Sequence, residues 1–352
     1  MDPRMGAFDA VMFGVEDDPV LRSVIVMVAE LDGPPDEERL LFRVDRMTRM
    51  VPQLRQRAIG NPFSIAPPRW ETDPNFDLDY HIHNQLLPKK AAKHADLMAA
   101  LAHWAEQDFD RARPLWEMLI ITGLASGGSA VAIKIHHSIT DGVGGLQLAA
   151  AMLDMSADAG DPTDMPEGPT GDVADLADRI EQGTAYGVQS LLNDGVGAVR
   201  KALGITREAV TDPFGSLLAG QQLVESATRV LGPASVPLSP VMTQRSLSVW
   251  FGDTSVPLDG LKKAGKQAGG TLNDAFVAGV LGGMRTYHEE LGELPEDLRI
   301  HMPVNRRSAG DTGGGNRWIP ARFPMPLNES DAARRIRQYS PLLKQAREEP
   351  AL

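Results

Sequence analysis

The sequence predicts a mixed α/β protein. Three observations carry this expectation. Short runs of β-branched and apolar residues alternate with stretches of helical apolar spacing over residues 1–155, and the same mixture returns over 233–352. Two apolar runs, Leu119–Leu124 and Ala130–Ile135, flank the turn sequence Ala125-Ser-Gly-Gly-Ser129 and read as a hairpin. Between the two mixed regions lie an acidic segment, 156–182, and a helix-like tract, 183–232.

The elements follow in order. Leu21–Leu31 is a continuous apolar, β-branched run bounded by turn signals and reads as a buried strand. Glu37–Met50 spaces Leu40, Leu41, Val44 and Met47 as a helix does, and Ala95–Gln107 reads as a second helix. The second hairpin strand ends at two adjacent histidines, and Asp141-Gly142-Val-Gly144-Gly145 then turns the chain into an apolar helix, Leu146–Met155. Residues 156–182 hold prolines and many acids, the composition of a linker. The apolar stripe of 183–232 is read as packing on the protein's own core rather than on lipid, since cations do not dominate its polar face. Farther on, Ser246–Phe251 reads as a strand, Asn273–Glu290 as a helix and Leu298–Val304 as a strand. The expected organisation is thus 1–155, an acidic linker 156–182, and 183–352 as a helical connection with a second mixed region.

Composition narrows the function. The 352 residues are 42% hydrophobic and 23% charged, enough apolar material for a sizeable core. The net charge of −12 argues against nucleic acid held by a basic face, and no nucleic-acid partner is expected. The absence of cysteine excludes disulfides, thiolate nucleophiles and Cys-based metal sites, and fits a reducing, cytoplasmic setting. No apolar run of membrane-spanning length occurs in the sequence. Phosphate-loop and Rossmann glycine spacings are absent as well.

The chemistry concentrates in Lys134-Ile-His136-His137-Ser138-Ile-Thr-Asp141-Gly142. Adjacent residues on a strand point to opposite faces, so the two histidines make a poor metal pair and no metal is expected. One imidazole can instead face a channel as a general base, its ordinary pKa near 6.5 being suited to that task, while the other packs inward. Asp141 stands beyond a turn, where it can accept a hydrogen bond or pair with an arginine, and Gly142 permits a tight backbone.

The pattern HHxxxDG resembles the signature of the CoA-dependent acyltransferase superfamily. Surrounding segments are similar to the wax ester synthase/diacylglycerol acyltransferase branch of it. These are Phe8-Asp9-Ala10-Val-Met-Phe13 with Glu16; Val51-Pro-Gln-Leu-Arg55-Gln-Arg57; the stretch from Trp70 to His81; Arg113-Pro114-Leu115-Trp116-Glu117; Gly270-Thr-Leu-Asn273-Asp274; Arg299-Ile-His-Met-Pro303-Val304; and Gly315-Asn316. The resemblance spans nearly the whole chain and keeps the motifs in order. It implies the chloramphenicol-acetyltransferase-like fold of two α/β lobes with a tunnel between them and the histidine motif where they meet.

It further implies acyl transfer from acyl-CoA, a substrate rather than a cofactor, to diacylglycerol or a long-chain alcohol. Transient contact with a membrane or lipid-droplet surface goes with such acceptors. His137 is the implied general base, with His136 structural and Asp141 bracing the motif. Asn273 either steadies charge on the reacting carbonyl or, with Asp274, caps a helix. Trp116 belongs to a motif that is structural or pocket-lining. The chain is shorter than the family's usual members and lacks a stretch like SNVPGP, so an incomplete second lobe is expected. A non-catalytic lipid-binding or scaffold member is the alternative from a different functional class.

Overall fold

The computed structural model describes residues 4–60, 67–88, 92–140, 142–154, 156, 160–171, 239–244, 246–305 and 318–348. The chain divides into two compact units.

The first unit is built on a four-stranded sheet. Its elements are α1 (Ala7–Val15), β1 (Val24–Leu31), α2 (Glu37–Met50), the small pair β2 (Gln56–Ile59) and β3 (Arg69–Thr72), β4 (Ile82–Leu86), α3 (His94–Ala105), β5 (Trp116–Thr122), β6 (Ser129–His136) and α4 (Gly142–Met152). The strand order is β1-β6-β5-β4. Strands β5 and β6 form the expected antiparallel hairpin, β1 pairs antiparallel with β6, and β4 runs parallel to β5.

Strand β6 is buried along its whole length, because helices cover both faces of the sheet. Val131, Ile133 and Ile135 point to one face, where Val44 and Met47 of α2 and Leu148 of α4 meet them. Ala130 and Ala132 point to the other, against Leu97, Leu101 and Trp104 of α3. Alanines on that side let α3 approach the sheet closely. Lys134 shares their face and is fully buried; its ammonium sits 2.9 Å from Glu117 on β5, and Trp104 Nε1 donates to the same carboxylate. Burial pushes the Lys134 pKa down, and Glu117 opposes that shift.

Two sequence expectations need correction. The run Leu21–Leu31 is not a fully buried strand: β1 has β6 as its one strand neighbour among the described residues, and Val28 is 41% exposed. Ser246–Phe251 is not a strand. It pairs with no described strand, the Val249 N–H goes to the Glu106 carboxylate, and Trp250 stands in solvent while Phe251 packs near α3.

The acidic segment is described over 160–171, where it follows α2. Asp161 pairs with Arg39 and Arg43, Asp164 with Arg46, and the Pro166 carbonyl accepts from Arg49. These arginines recur at helical spacing on one face of α2. The helix-like tract 183–232 lies outside the described residues.

The second unit contains α5 (Leu258–Gln267), α6 (Leu272–Glu290), the antiparallel pair β7 (Asp297–Asn305) and β8 (Trp318–Pro326), and α7 (Ala332–Arg347). Its core joins Ala275, Ala278 and Leu281 of α6 to Ile336, Tyr339 and Leu343 of α7 and Leu298 of β7. The expected helix at Asn273–Glu290 and strand at Leu298–Val304 are present as α6 and β7. Arg335 threads under α6, donating to the Ala278 carbonyl at 2.8 Å, and Gly282 leaves room for its guanidinium.

Candidate active site

The histidine turn is assembled by strands that meet at one end of the sheet. His136 is the last residue of β6, and His137 is the first residue of the turn beyond it. The turn closes by an Ile139 N–H to His136 carbonyl bond of 3.0 Å. From outside, the His136 N–H donates to the Leu115 carbonyl at 2.9 Å and the His137 N–H to the Ser23 carbonyl at 2.8 Å. Thus Pro114-Leu115-Trp116 and the entry to β1 hold the turn from its two sides. The two rings differ less by opposite faces of one strand than by strand end against turn.

His136 is 1% exposed. Its Nδ1 accepts from the Ser138 backbone N–H at 3.0 Å and faces Ser138 Oγ at 2.7 Å. A neutral ring with an accepting Nδ1 carries its proton on Nε2. That nitrogen lies 3.0 Å from Glu16 Oε2, with the N–H off the line of a regular hydrogen bond. Phe13 and Phe109 present their edges to the same ring. His137 is half-buried in the turn.

Glu16 is the hub behind this arrangement. Burial pushes its pKa up, but the His136 ring, the Ser23 N–H and Arg111 outweigh that and hold the carboxyl below its ordinary value. Arg111 Nη2 lies 3.7 Å from Glu16 Oε2, and its guanidinium also stacks over the Phe13 ring. Ser23 therefore bridges two parts of the site: its N–H is held by Glu16 and its carbonyl holds His137. In the sequence Glu16 was marked only by its place in the N-terminal segment that resembles the family. Ser23, Ser138 and Arg111 carried no signal.

Trp116 is fully buried at the start of β5. Its Nε1 donates to the Leu54 carbonyl at 2.8 Å, and its indole stacks on His81 at 4.6 Å with 7° between the rings. Phe76 covers the other face of His81, and burial lowers the His81 pKa. These groups wedge β5 against the small β2–β3 pair and stand in a scaffold. Asp141 lies outside the described residues; Gly142 is the first residue of α4.

Asn273 and Asp274 stand in the second unit, in the first turn of α6. Thr271 is the N-cap, and Asp274 completes a capping box: Thr271 Oγ1 accepts from the Asp274 N–H at 3.2 Å, and Asp274 Oδ2 accepts from the Thr271 N–H at 2.8 Å. Asp274 is 2% exposed and also accepts from Ser340 Oγ at 2.9 Å, so its carboxylate is spent on local structure. Asn273 is exposed on this unit. Among the described residues, no group of three or more His, Asp or Glu side chains could hold a metal ion.

Comparisons with known proteins bear on the family and the fold. The family described as the wax ester synthase/diacylglycerol acyltransferase catalytic domain matches residues 5–276. A protein of Mycobacterium tuberculosis named as a diacylglycerol O-acyltransferase is 31% identical over 354 aligned positions, covering 100% of this chain and 71% of that protein. The tgs1 protein of the same species, named likewise, is 27% identical and aligns with 88% of this chain and 63% of its own length. Among solved structures, the wax ester synthase/diacylglycerol acyltransferase of Marinobacter aquaeolei VT8 superposes with a TM-score of 0.59 at 19% identity, covering 98% of this chain and 72% of that one. The first condensation domain of the calcium-dependent antibiotic synthetase reaches 0.61 at 15% identity, covering 99% and 76%. At such identities the structural likeness bears on the fold, which is that of the CoA-dependent acyltransferases. The match over residues 5–276 and the 31% relative go further: this chain belongs to the wax ester synthase/diacylglycerol acyltransferase family of acyltransferases.

Proposed function

We propose that the chain transfers a fatty acyl group from acyl-CoA to the hydroxyl of diacylglycerol or a long-chain alcohol, giving triacylglycerol or a wax ester. The observation that carries the reading is the hydrogen bonding of His136 in the histidine turn. The Ser138 N–H occupies His136 Nδ1 and Glu16 stands 3.0 Å from its Nε2, which supports giving the base role to His137.

In this mechanism His137 takes the proton of the acceptor hydroxyl, and the oxygen attacks the thioester carbonyl. The tetrahedral intermediate collapses by breaking the carbon–sulfur bond, and the CoA thiolate takes the proton back from His137. No acyl-enzyme forms and no cofactor is required beyond the acyl-CoA substrate. Asn273 is assigned to the developing oxyanion, a role its amide N–H can fill and the capping carboxylate of Asp274 cannot. Asp141 braces the turn.

The test is free CoA release from palmitoyl-CoA with dioleoylglycerol or hexadecanol, compared with His137→Ala. Acceptor-dependent release that disappears in the variant supports the reading. No release by a folded wild-type protein overturns it in favour of a non-catalytic lipid-binding member. Lipidic acceptors also call for transient contact with a membrane or lipid-droplet surface. Sedimentation with liposomes at low salt checks this, and a protein that stays in the supernatant counts against it. No helix among the described residues is long and apolar enough to cross a membrane.

A further inference from the structure

Four arginines share one face of α2. At 3.6 residues per turn Arg39, Arg43, Arg46 and Arg49 fall within an arc of about 120°, and the core residues Val44 and Met47 lie outside it. Half-buried Phe42 and exposed Met50 fall within the same arc, so the face is cationic with apolar side chains set among the charges.

Segment 160–171 covers this face. Asp161 Oδ1 accepts from Arg39 Nε at 2.5 Å and from Arg43 Nη2 at 2.9 Å. Asp164 accepts from Arg46 twice, at Oδ2 from Nη2 at 3.1 Å and at its carbonyl from Nε at 3.2 Å. Two guanidiniums converging on one anionic oxygen form the kind of receptor that takes a phosphate. What holds the segment down is charge. None of residues 160–171 is buried, and none belongs to the hydrophobic core of the first unit. The side chains of Asp161 and Asp164 are more than half exposed. Exposed ion pairs are individually weak and are screened by salt, so another array of anions can replace them.

We propose that the arginine face of α2 docks on an anionic lipid surface, and that segment 160–171 is a built-in competitor that covers the face until such a surface displaces it. The inference rests on the lipid-acceptor reading above; it names where the surface is met and what regulates the meeting. The chain carries a net charge of −12, so an anionic surface repels it except where a face is locally positive. A phosphate-bearing surface engages several arginines at once, and Phe42 and Met50 suit the boundary between headgroups and acyl chains.

The test uses the full chain and sedimentation with vesicles of phosphatidylcholine, with and without 30% phosphatidylglycerol. The double variant Asp161→Asn with Asp164→Asn is expected to bind the anionic vesicles on the order of tenfold tighter than wild type, and Arg39→Gln with Arg46→Gln to bind them on the order of tenfold more weakly. Both differences should vanish on phosphatidylcholine alone and shrink at 0.5 M salt, where the Debye length is only a few ångströms. Circular dichroism checks that the variants fold. The chain has no cysteine, so a nitroxide on exposed Thr163→Cys reports on the segment alone. Its mobility is expected to rise with anionic vesicles and to stay unchanged with glycerol 3-phosphate at the same phosphate concentration. If the arginine variant does not fold, the aspartate variant and the label decide the outcome.

Anionic vesicle binding that is the same in wild type and the aspartate variant overturns the proposal. A label freed equally by glycerol 3-phosphate also overturns it, because the face then serves a soluble phosphate. CoA release by wild type in neutral detergent micelles separates the two readings. Turnover there without vesicle binding sinks the docking face and leaves the activity standing. Binding gated by the aspartates in a protein without turnover supports the docking face and sinks the activity.

Discussion

The histidine turn and the Asn273–Asp274 turn each lead into a helix, α4 and α6, yet they are held in opposite ways. The second is satisfied by its neighbours: Thr271 and Asp274 exchange two hydrogen bonds within a four-residue box. The first is held from elsewhere in the chain, by Glu16 from the end of α1, Ser23 before β1 and Leu115 before β5. A catalytic base needs a fixed direction, and a turn satisfied only by its own residues can swing as a unit. Anchoring His137 through the Ser23 carbonyl ties its backbone to the sheet, where β1 and β6 already fix each other.

This contrast is open to attack from both sides, and the largest effect is expected at His137. Loss of general-base help in His137→Ala should lower turnover about 10²–10⁴-fold, or roughly 2.7–5.4 kcal/mol at 1.36 kcal/mol per decade, with little change in melting temperature. An equal loss of stability would mean that His137 is architecture. Asn273→Ala comes next. On the proposed oxyanion role kcat should fall about 10²–10³-fold, while an exposed first-turn residue that is not the cap should leave stability within about 0.5 kcal/mol. A kcat close to wild type would remove Asn273 from the mechanism.

Glu16→Ala attacks the remote anchor itself. It strips the partner from His136 and the acceptor from the Ser23 N–H, so unfolding free energy should drop by about 1.5–3 kcal/mol. Turnover should fall as well, through His137. Glu16→Gln keeps an acceptor for Ser23 and should recover part of both losses. The same carboxylate gives a pH signature. Its folded pKa is depressed, so its stabilisation is present above the unfolded carboxyl value and is lost as pH falls through the folded value. Wild type should lose stability on acidification more steeply than Glu16→Gln, measured by denaturant titration across the acid range. Parallel curves would mean that Glu16 carries no linkage.

The same difference explains what was legible in the sequence. Strand β6, the hairpin and α6 follow from local apolar pattern, because each buries a face that the pattern itself marks. Strand β4, Ile82–Leu86, carries His, Asn and Gln in its middle and shows no such pattern; it is a strand because β5 pairs with it. Strand β8 holds three prolines and is paired by β7 despite them. Ser246–Phe251 fails the other way, its alternation fitting a strand that finds no partner. In the site, two adjacent histidines before an Asp-Gly turn announce themselves. The tautomer of His136 does not, because it depends on Glu16 and Ser138 meeting the same ring, which the fold alone decides.

Thr271→Ala probes the self-contained turn and should give the smallest effect of the series. The N-cap oxygen satisfies one N–H of α6, and its removal costs about 1 kcal/mol. Because the two bonds of the box lie within four residues, that cost should stay local. Hydrogen exchange should speed up at the first-turn amides of α6, Asp274 above all, and remain unchanged in β1 and β6. Ser340 still donates to Asp274 Oδ2 in the variant, so the carboxylate keeps a partner and the helix start should fray without unravelling. The decisive reading is the ratio of the two losses. A drop in kcat no larger than the small loss of folded population confirms that the cap serves α6 alone. A drop of tenfold or more at a cost of about 1 kcal/mol would mean that the cap aims Asn273, and the two turns would then share the work of holding the chemistry.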